Sequence, residues 1–259
     1  MTLKNDMSQV RQQRVLIGCC GFPVKRSQYY RQFPVVEIQQ TFYQPPQKET
    51  VKRWRVEAPD DFLFTVKAWQ LITHPPTSPT YRRLKKPLSD KEKREAGHLQ
   101  LTDTVLRAWD ETVAIAQILR SPIILIQTPS SFRPQQENLD RLRKLIPILQ
   151  QSRMVIAWEP RGDWSADQIE ALCRELHLLP AGDPFGPYRS PLLSTPTRYF
   201  RLHGITGYRY RFTDSDLSQL SSWFHNASTV YCLFNNVGMW EDATKMRERL
   251  GLQGNAIRR

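Results

Sequence analysis

Glycine, cysteine and histidine are scarce in this chain of 259 residues, which contains 11, four and five of them, respectively. Neither a GxGxxG motif nor a P-loop occurs, and we therefore expect no nucleotide cofactor. There is no Cys-x-x-Cys or HExxH motif, and five histidines are too few for a trinuclear zinc phosphodiesterase site. Four cysteines cannot build a dense disulfide framework at this length, so we expect reduced thiols in a cytoplasmic protein.

Long apolar runs are also missing, which predicts that the protein has no membrane partner. The first apolar stretch, VLIGCC, is far too short to span a bilayer. The residues before it are polar and of mixed charge, unlike a signal peptide, and predict a polar N-terminal tail over residues 1–14. Gly251 suits the C-terminal cap of a last helix, and we expect a second tail over residues 252–259.

Positive charge is in excess, with a formal net charge of +12. A basic balance favours anionic partners, either nucleic acid or phosphorylated small molecules, although a basic protein without such a partner would have the same composition. Charge alone therefore leaves the partner open, and the oligomeric state is open as well.

Two patterns alternate along the chain. Short apolar or β-branched runs are separated, in most cases, by longer stretches with helical periodicity, as in QQENLDRLRKLIPILQQ. This alternation predicts an α/β fold, a (β/α)8 TIM-barrel-like single domain over residues 15–251, with an open doubly wound sheet as the alternative. The eight predicted strands are 15–21, 35–43, 62–68, 123–129, 154–162, 178–184, 199–204 and 229–236.

The strands carry polar residues on one face and near one end. In YFRLHG, for example, Arg201 and His203 share a face opposite Phe200 and Leu202. Since helices cover the outside of such a barrel with apolar contacts, the polar face must point inward. Buried charges must pair, and the inventory allows this, because Glu37 and Glu159 can face three cations, Lys67, Arg161 and Arg201. A structural salt-bridge plug without chemistry is the alternative to a site.

One interval is about twice the usual length. It contains the segment 74–100, hereafter the basic insertion, which has a net charge of +4 and begins with two prolines, Pro75 and Pro76. The insertion follows the third predicted strand, so we predict that it lies over the mouth of the barrel or is mobile there. A solvated charged excursion is the alternative.

Seven blocks in order resemble the successive signature blocks of the domain-of-unknown-function-72 family. They cover almost the whole chain from Val15 to Leu250 and read IGCCGF, VVEIQQTFYQPP, FLFTVKAWQLITH, LIQTPSSF, AWEPRGDW, YFRLHG and VYCLFNN. The resemblance implies a TIM-barrel-like fold and no activity, since the family is named for lacking one. Two departures concern the pocket: Gln39 stands where asparagine is usual, and CCGFP replaces a small-serine-glycine-tryptophan block.

The site residues are predicted from strand position and from the match to the polar pattern of the family, which also includes Thr41. The predicted catalytic residues are Glu37, Lys67, Glu159 and His203. The predicted substrate-binding residues are Tyr43, His74, Gln127, Arg161, Asp183, Arg201, Asn235 and Asn236. Glu37 and Glu159 could form a carboxylate pair, and a single divalent ion held by Glu159, Asp183 and His203 remains open.

Two functions follow from this set. The first is an enzyme, a hydrolase or isomerase, that acts on an anionic substrate, either phosphorylated or derived from nucleic acid, because arginines bind phosphate and carboxylate groups well. The second is a non-catalytic nucleic-acid-binding protein that uses the basic insertion and the loop 207–212, where aromatic residues alternate with arginines. A rim loop that merely packs its tyrosines would have the same sequence.

Overall fold

The computed structural model describes residues 13–252 and confirms the predicted barrel. Eight parallel strands close into one sheet in which each strand pairs with its neighbours in sequence and the eighth pairs with the first. The strands are β1 (Arg14–Cys20), β2 (Val35–Ile38), β3 (Leu63–Lys67), β4 (Ile123–Gln127), β5 (Val155–Glu159), β6 (Leu179–Gly182), β7 (Thr197–Leu202) and β8 (Thr229–Phe234).

Eleven α-helices are described between and after the strands. The predicted serine and threonine caps form: Ser165 and Thr213 each accept a hydrogen bond from the third residue of their helix, in capping boxes. The helices are α1 (Arg26–Gln32), α2 (Gln40–Tyr43), α3 (Lys48–Glu57), α4 (Gln70–Thr73), α5 (Asp90–Glu95), α6 (Asp103–Ile118), α7 (Gln136–Leu149), α8 (Ala166–Glu175), α9 (Arg189–Leu193), α10 (Asp214–Ser222) and α11 (Met239–Arg249).

The two faces of each strand bury different residues. The outward face, with Phe64 and Phe200 among its members, joins the large apolar core under the helices. The inward face is apolar at the N-terminal and middle levels of the barrel, where Leu125, Tyr199 and Leu233 belong to a separate inner cluster. Apart from the hydroxyl groups of Thr65 and Tyr199, the buried polar groups of the inward face lie at the level above, at the C-terminal ends of the strands, which is the end where TIM barrels build their sites.

The predicted second strand, 35–43, is wrong beyond Ile38. The chain turns there into the short helix α2, where the Thr41 hydroxyl donates to the Lys67 carbonyl at the end of β3 at 2.6 Å and lies 3.0 Å from the Ile38 carbonyl. Tyr43 therefore does not share an inward strand face with Glu37, and it lies at the rim of the barrel.

The basic insertion is attached to the C-terminal side of the barrel, beside β2 and β3. Its final residues 97–99 donate backbone hydrogen bonds to the carbonyls of Leu71, Ile72 and Thr73 in α4. Tyr81, in a 3-10 turn of the insertion, donates from its hydroxyl to the His74 carbonyl at 2.9 Å. The Arg83 guanidinium lies 4.2 Å from the ring centre of Tyr43. The insertion therefore borders the mouth and does not pack at the opposite end.

The predicted tails fall mostly on residues 1–12 and 253–259, which lie outside the described residues. Strand β1 begins at Arg14, so it includes the last residue of the predicted N-terminal tail. Within residues 13–252, no helix is both long and apolar enough to cross a bilayer.

Gly97 should be essential for anchoring the insertion. Its φ of +85° is unfavourable for other residues, and a Cβ there would lie 2.2 Å from the His74 carbonyl oxygen. We expect Gly97→Ala to lower the free energy of unfolding by about 2 kcal/mol or more, measured by urea denaturation.

The matched control is Gly251→Ala. Gly251 also has a positive φ, +65°, but nothing lies within 4 Å of a Cβ added there. This control should cost about 1 kcal/mol, the price of the left-handed conformation alone. Equal losses in the two variants would contradict the close approach of Gly97 to His74.

Candidate active site

The inward polar residues converge at one end of the barrel, here called the mouth cluster. Parity places them there, since each stands at the last inward position of its strand or one or two residues beyond the strand. Lys67, Gln127 and Glu159 are the final residues of β3, β4 and β5. The mouth cluster comprises Glu37, Lys67, Gln127, Glu159, Arg161, Asp183, Arg201 and His203.

Arg201 is at the centre of the mouth cluster and is fully buried. It binds Glu37 through two nitrogens, with Nη2 2.9 Å from Oε1 and Nε 3.1 Å from Oε2. Its third nitrogen, Nη1, donates to Glu159 Oε2. Burial alone would lower the pKa of Arg201, but Glu159 and Glu37 outweigh burial and raise this pKa well above its ordinary value.

Glu37 is saturated by donors from the chain. Besides Arg201, the Tyr199 hydroxyl donates to its Oε2 at 2.8 Å, and Gln39 donates to its Oε1. Thr65 in turn donates to the Tyr199 oxygen at 2.7 Å, since the only Tyr199 proton already points to Glu37. Glu37 therefore orients Arg201, and its oxygens are engaged within the chain.

Glu159 is held as a carboxylate by two arginines. Burial favours its neutral form, yet Arg201 and Arg161, with smaller effects from His203 and Lys67, lower the pKa of Glu159 to about 2. The Arg161 contact runs from Nη2 to Oε1 at 2.7 Å. A glycosidase acid needs a raised pKa, and Glu159 has the opposite shift. Glu159 therefore does not fit the role of the protonated acid in the predicted carboxylate pair.

Lys67 differs from the other cations of the mouth cluster, because it has no ion pair with any carboxylate in residues 13–252. Its side chain is buried, and its Nζ donates to Gln127 Oε1 at 2.8 Å and lies 3.9 Å from the ring centre of Phe42. Burial lowers the pKa of Lys67 to about 7, helped by Arg201 and Arg161 and opposed by Glu159 and Glu37. This amine therefore exchanges its proton near neutral pH.

His203 is a neutral imidazole. Arg161 Nη2 donates to its Nε2 at 2.7 Å, so the ring proton is on Nδ1. Burial lowers the pKa of His203, against the raising effects of Asp183 and Glu159, and Arg201 and Arg161 lower it further. The Asp183 carboxylate accepts from the His203 backbone amide at 2.8 Å, while Nδ1 is buried without a hydrogen-bond partner among the described residues.

The residues proposed for a divalent ion do not share a common point. Glu159 lies 3.8 Å from Nε2 of His203, whereas Asp183 lies 3.7 Å from Nδ1 on the other edge of the ring. Within residues 13–252, no group of three or more histidine, cysteine, aspartate or glutamate side chains is placed to hold a metal ion. The donor geometry therefore does not fit the single-ion site, and we derive no step through a metal.

Comparison with models of known protein families assigns this chain to a family. A family model described as "Protein of unknown function DUF72" matches residues 24–259. The chain belongs to the DUF72 family. A comparison of the DUF72 chain with curated proteins found no match.

Solved structures share the fold of this DUF72 chain. A DUF72 family protein from Enterococcus faecalis has a TM-score of 0.68 and 20% identity, over 93% of this chain and 99% of that one. Another from Thermotoga maritima has a TM-score of 0.63 and 20% identity, over 92% and 100%. A xylose isomerase domain containing protein from Salmonella typhimurium has a TM-score of 0.57 and 12% identity, over 89% and 93%. At these identities the likeness shows the fold alone.

Four predicted site residues of the DUF72 chain are engaged outside the mouth cluster or at its edge. Tyr43 lies under Arg83, and the backbone amide of Asn235 donates to the Leu202 carbonyl. Asn236 donates to Asp242 and to the Tyr210 carbonyl, so it holds the loop 207–212, at the rim of the barrel, in place. His74 packs edge-on against Phe42, and burial, with the charge of Lys67, lowers its pKa to about 3.

Two contributors to the mouth cluster were missed from the sequence. Tyr199 lies two residues before Arg201 on β7, so inward parity alone was a sufficient signal for it. Phe42, which stacks on Lys67, gave no such signal, because it belongs to a turn that was predicted to be a strand.

The loop 207–212 of the DUF72 chain is largely engaged with the rim. Tyr210 donates to Asp216, Phe212 is buried, and Arg211 pairs with Asp242 at 3.3 Å. Tyr208 and Arg209 remain exposed, and the Tyr208 ring meets His203 edge-on at 5.8 Å. The packing hypothesis therefore accounts for most of this loop.

Removing Arg201 should damage stability far more than removing an exposed arginine with a similar bond pattern. Arg201→Leu leaves two buried carboxylates without their main partner, and we expect a loss of about 3–5 kcal/mol in the free energy of unfolding at pH 7. Urea denaturation followed by circular dichroism measures this loss.

Arg26→Leu is the matched control. Arg26 also binds one carboxylate, Glu57, through two nitrogens, but both side chains are about two-fifths exposed, at 39% and 43%. Its removal should cost about 1 kcal/mol or less. Similar losses in the two variants would show that the Arg201 pairs are not desolvated.

Proposed function

We propose that this DUF72 chain is an enzyme that acts on a small substrate carrying a phosphate or carboxylate group, bound at the mouth of the barrel. One observation carries the proposal. The glutamates of the mouth cluster bind Arg201 and Arg161, whereas within residues 13–252 the buried amine of Lys67 has only a neutral amide, that of Gln127, as hydrogen-bond partner.

In a salt-bridge cluster that only stabilised the barrel, a buried ammonium would be paired with a carboxylate, unlike Lys67. An ammonium buried without a carboxylate costs several kcal/mol, and the lowered pKa of Lys67 is the sign of that cost. Two glutamates are close enough to affect its titration, yet arginines engage both of them. Groups held at such a cost in a cleft are typical of functional sites, where the unfavourable state serves binding or chemistry.

Arg161 supplies the anchor for an anionic group. Its side chain is 37% exposed and makes both of its contacts through Nη2. Among the described residues, Nη1 and Nε have no partner, so the N–H groups of these two nitrogens are open to a ligand. Each can donate a charged hydrogen bond to an oxygen of a phosphate or carboxylate. Glu159 and His203 hold Arg161 from the other side and fix its direction.

Lys67 supplies the proton transfer, and His203 supplies a hydrogen-bond donor. A catalytic base works best with a pKa near the operating pH, and Lys67 meets this condition at about 7. The neutral His203 offers its Nδ1–H for a hydrogen bond. Glu37, Glu159 and Arg201 act as positioning residues. Between the two reaction classes expected from the sequence, these groups favour isomerisation by proton transfer over hydrolysis.

Arg161→Ala should weaken the binding of a small phosphate ester. We expect the dissociation constant of glycerol 3-phosphate to rise about tenfold or more, because a charged hydrogen bond to the phosphate is lost. Isothermal titration calorimetry at low and at moderate salt measures the constant. Arg209→Ala is the matched control, since Arg209 is an exposed arginine in the rim loop, and it should leave the constant unchanged.

Labelled single-stranded and duplex oligonucleotides test the competing function in the same assay. If oligonucleotides bind, glycerol 3-phosphate does not, and Arg209→Ala weakens the binding while Arg161→Ala does not, the chain is a nucleic-acid-binding protein and the enzyme proposal is wrong.

A further inference from the structure

Lys67 has the surroundings of an amine nucleophile. We propose that Lys67 forms a covalent imine with the carbonyl carbon of its substrate, an aldehyde or ketone that also bears a phosphate or carboxylate group. This inference rests on the proposed function and narrows its substrate class. The hydrogen bonds, the neighbours and the position of the Lys67 amine support the imine.

The hydrogen bonding of Lys67 leaves room for the new bond. An ammonium carries three donors, and the described residues provide one acceptor, Gln127 Oε1 at 2.8 Å. A protonated imine carries a single N–H. That N–H can keep the bond to Gln127, while the other two positions of Nζ are replaced by the double bond to the substrate carbon. Imine formation therefore breaks no hydrogen bond within the chain.

The neighbours of Lys67 favour both the neutral amine and the cationic imine. Burial and the nearby Arg201 lower the pKa of Lys67 to about 7, so a large share of the amine is neutral and nucleophilic near pH 7. Once the positively charged imine forms, the face of Phe42, 3.9 Å from Nζ, stabilises the cation. The Lys67 side chain is also buried, which limits the access of water and disfavours hydrolysis of the imine.

The position of Lys67 suits a substrate that enters from the mouth. It is the last residue of β3, where the site of a TIM barrel opens. Arg161, which follows the end of β5, has its unpartnered Nη1 and Nε donors at the same end of the barrel. A substrate with a carbonyl group and an anionic group can therefore engage both cations, one covalently and one through an ion pair.

The covalent step balances without a redox partner. The neutral Nζ attacks the carbonyl carbon, a C–N bond forms, and the carbonyl oxygen takes up a proton as nitrogen gives one up. The resulting hydroxyl leaves with a second proton as water, which breaks the C–O bond. The sum is amine plus carbonyl plus one proton, giving a protonated imine and water. The imine then withdraws electrons from the adjacent carbon and makes its proton removable in an isomerisation. Lys67, whose Nζ is bonded to the substrate at that stage, is not the base that takes this proton, and it acts as a base only where no imine forms.

Reductive trapping tests the inference on the intact protein. The protein is incubated with dihydroxyacetone phosphate, pyruvate or acetone in the presence of sodium cyanoborohydride, and adducts are located by peptide mass mapping. We expect Lys67 to be labelled first, with acetone much slower than the two anionic ketones. The labelling rate should rise about tenfold between pH 6 and pH 8, as the fraction of neutral amine grows across a pKa of about 7.

Matched variants separate the site from surface labelling. Lys67→Arg keeps a cation but cannot form an imine, and it should lose the fast label. Lys25→Met removes an exposed lysine, and this variant should keep the fast label at Lys67. If Lys67→Arg fails to fold, peptide mass mapping of the wild-type protein still shows whether Lys67 is the labelled residue.

The outcomes distinguish the two proposals. If labels spread evenly over surface lysines while Arg161 still governs the binding of glycerol 3-phosphate, the imine is wrong and the proposed function stands. If neither Lys67 labelling nor Arg161-dependent binding is found, both are wrong. Fast labelling of Lys67 that is equal for acetone and the anionic ketones overturns the part of the inference that names an anionic carbonyl substrate.

Discussion

The double ion pair of Arg201 is the interaction on which the mouth of this barrel depends. One guanidinium, fully buried, satisfies Glu37 with two nitrogens and Glu159 with the third. Desolvating three charges is costly, and only such complete pairing offsets that cost. The apolar inner layers below, with Leu125 and Leu233, contain no group that could replace it. The position of each neighbouring polar residue follows from this arrangement.

Because Arg201 engages both glutamates, the remaining cations are left in unusual states. Arg161 shares Glu159 with Arg201 and keeps its Nη1 and Nε donors open, while Lys67 pairs with no carboxylate within residues 13–252 and releases its proton near neutral pH. The chain thus combines a fixed cation that can bind an anion with an amine that can act as base or nucleophile. This division of roles is the physical basis of the proposed function and of the imine.

The fold and the residues of the mouth cluster were predictable from the sequence, whereas the ion pairs and contacts that these residues form with one another were not. Strand parity placed Arg201 and His203 inward, because a period of two is a local property of the backbone. Which glutamate binds which arginine depends on barrel register, which pairs strands far apart in sequence. The end of β2 was missed because the Thr41 hydroxyl, bonded across to β3, redirects the chain into a helix. The Phe42 contact with Lys67 follows from that turn and was missed with it.

Titration of the Lys67 amine is the most direct test of this account. In protein labelled with carbon-13 at the lysine ε-carbon, the Lys67 signal is assigned by its loss in Lys67→Arg and followed from pH 5 to pH 11. We expect a midpoint near 7, with the amine neutral above it, since burial and Arg201 disfavour the charged form. A midpoint near 10.4, the ordinary value for lysine, would mean that Lys67 is solvated or paired, and would contradict the central claim.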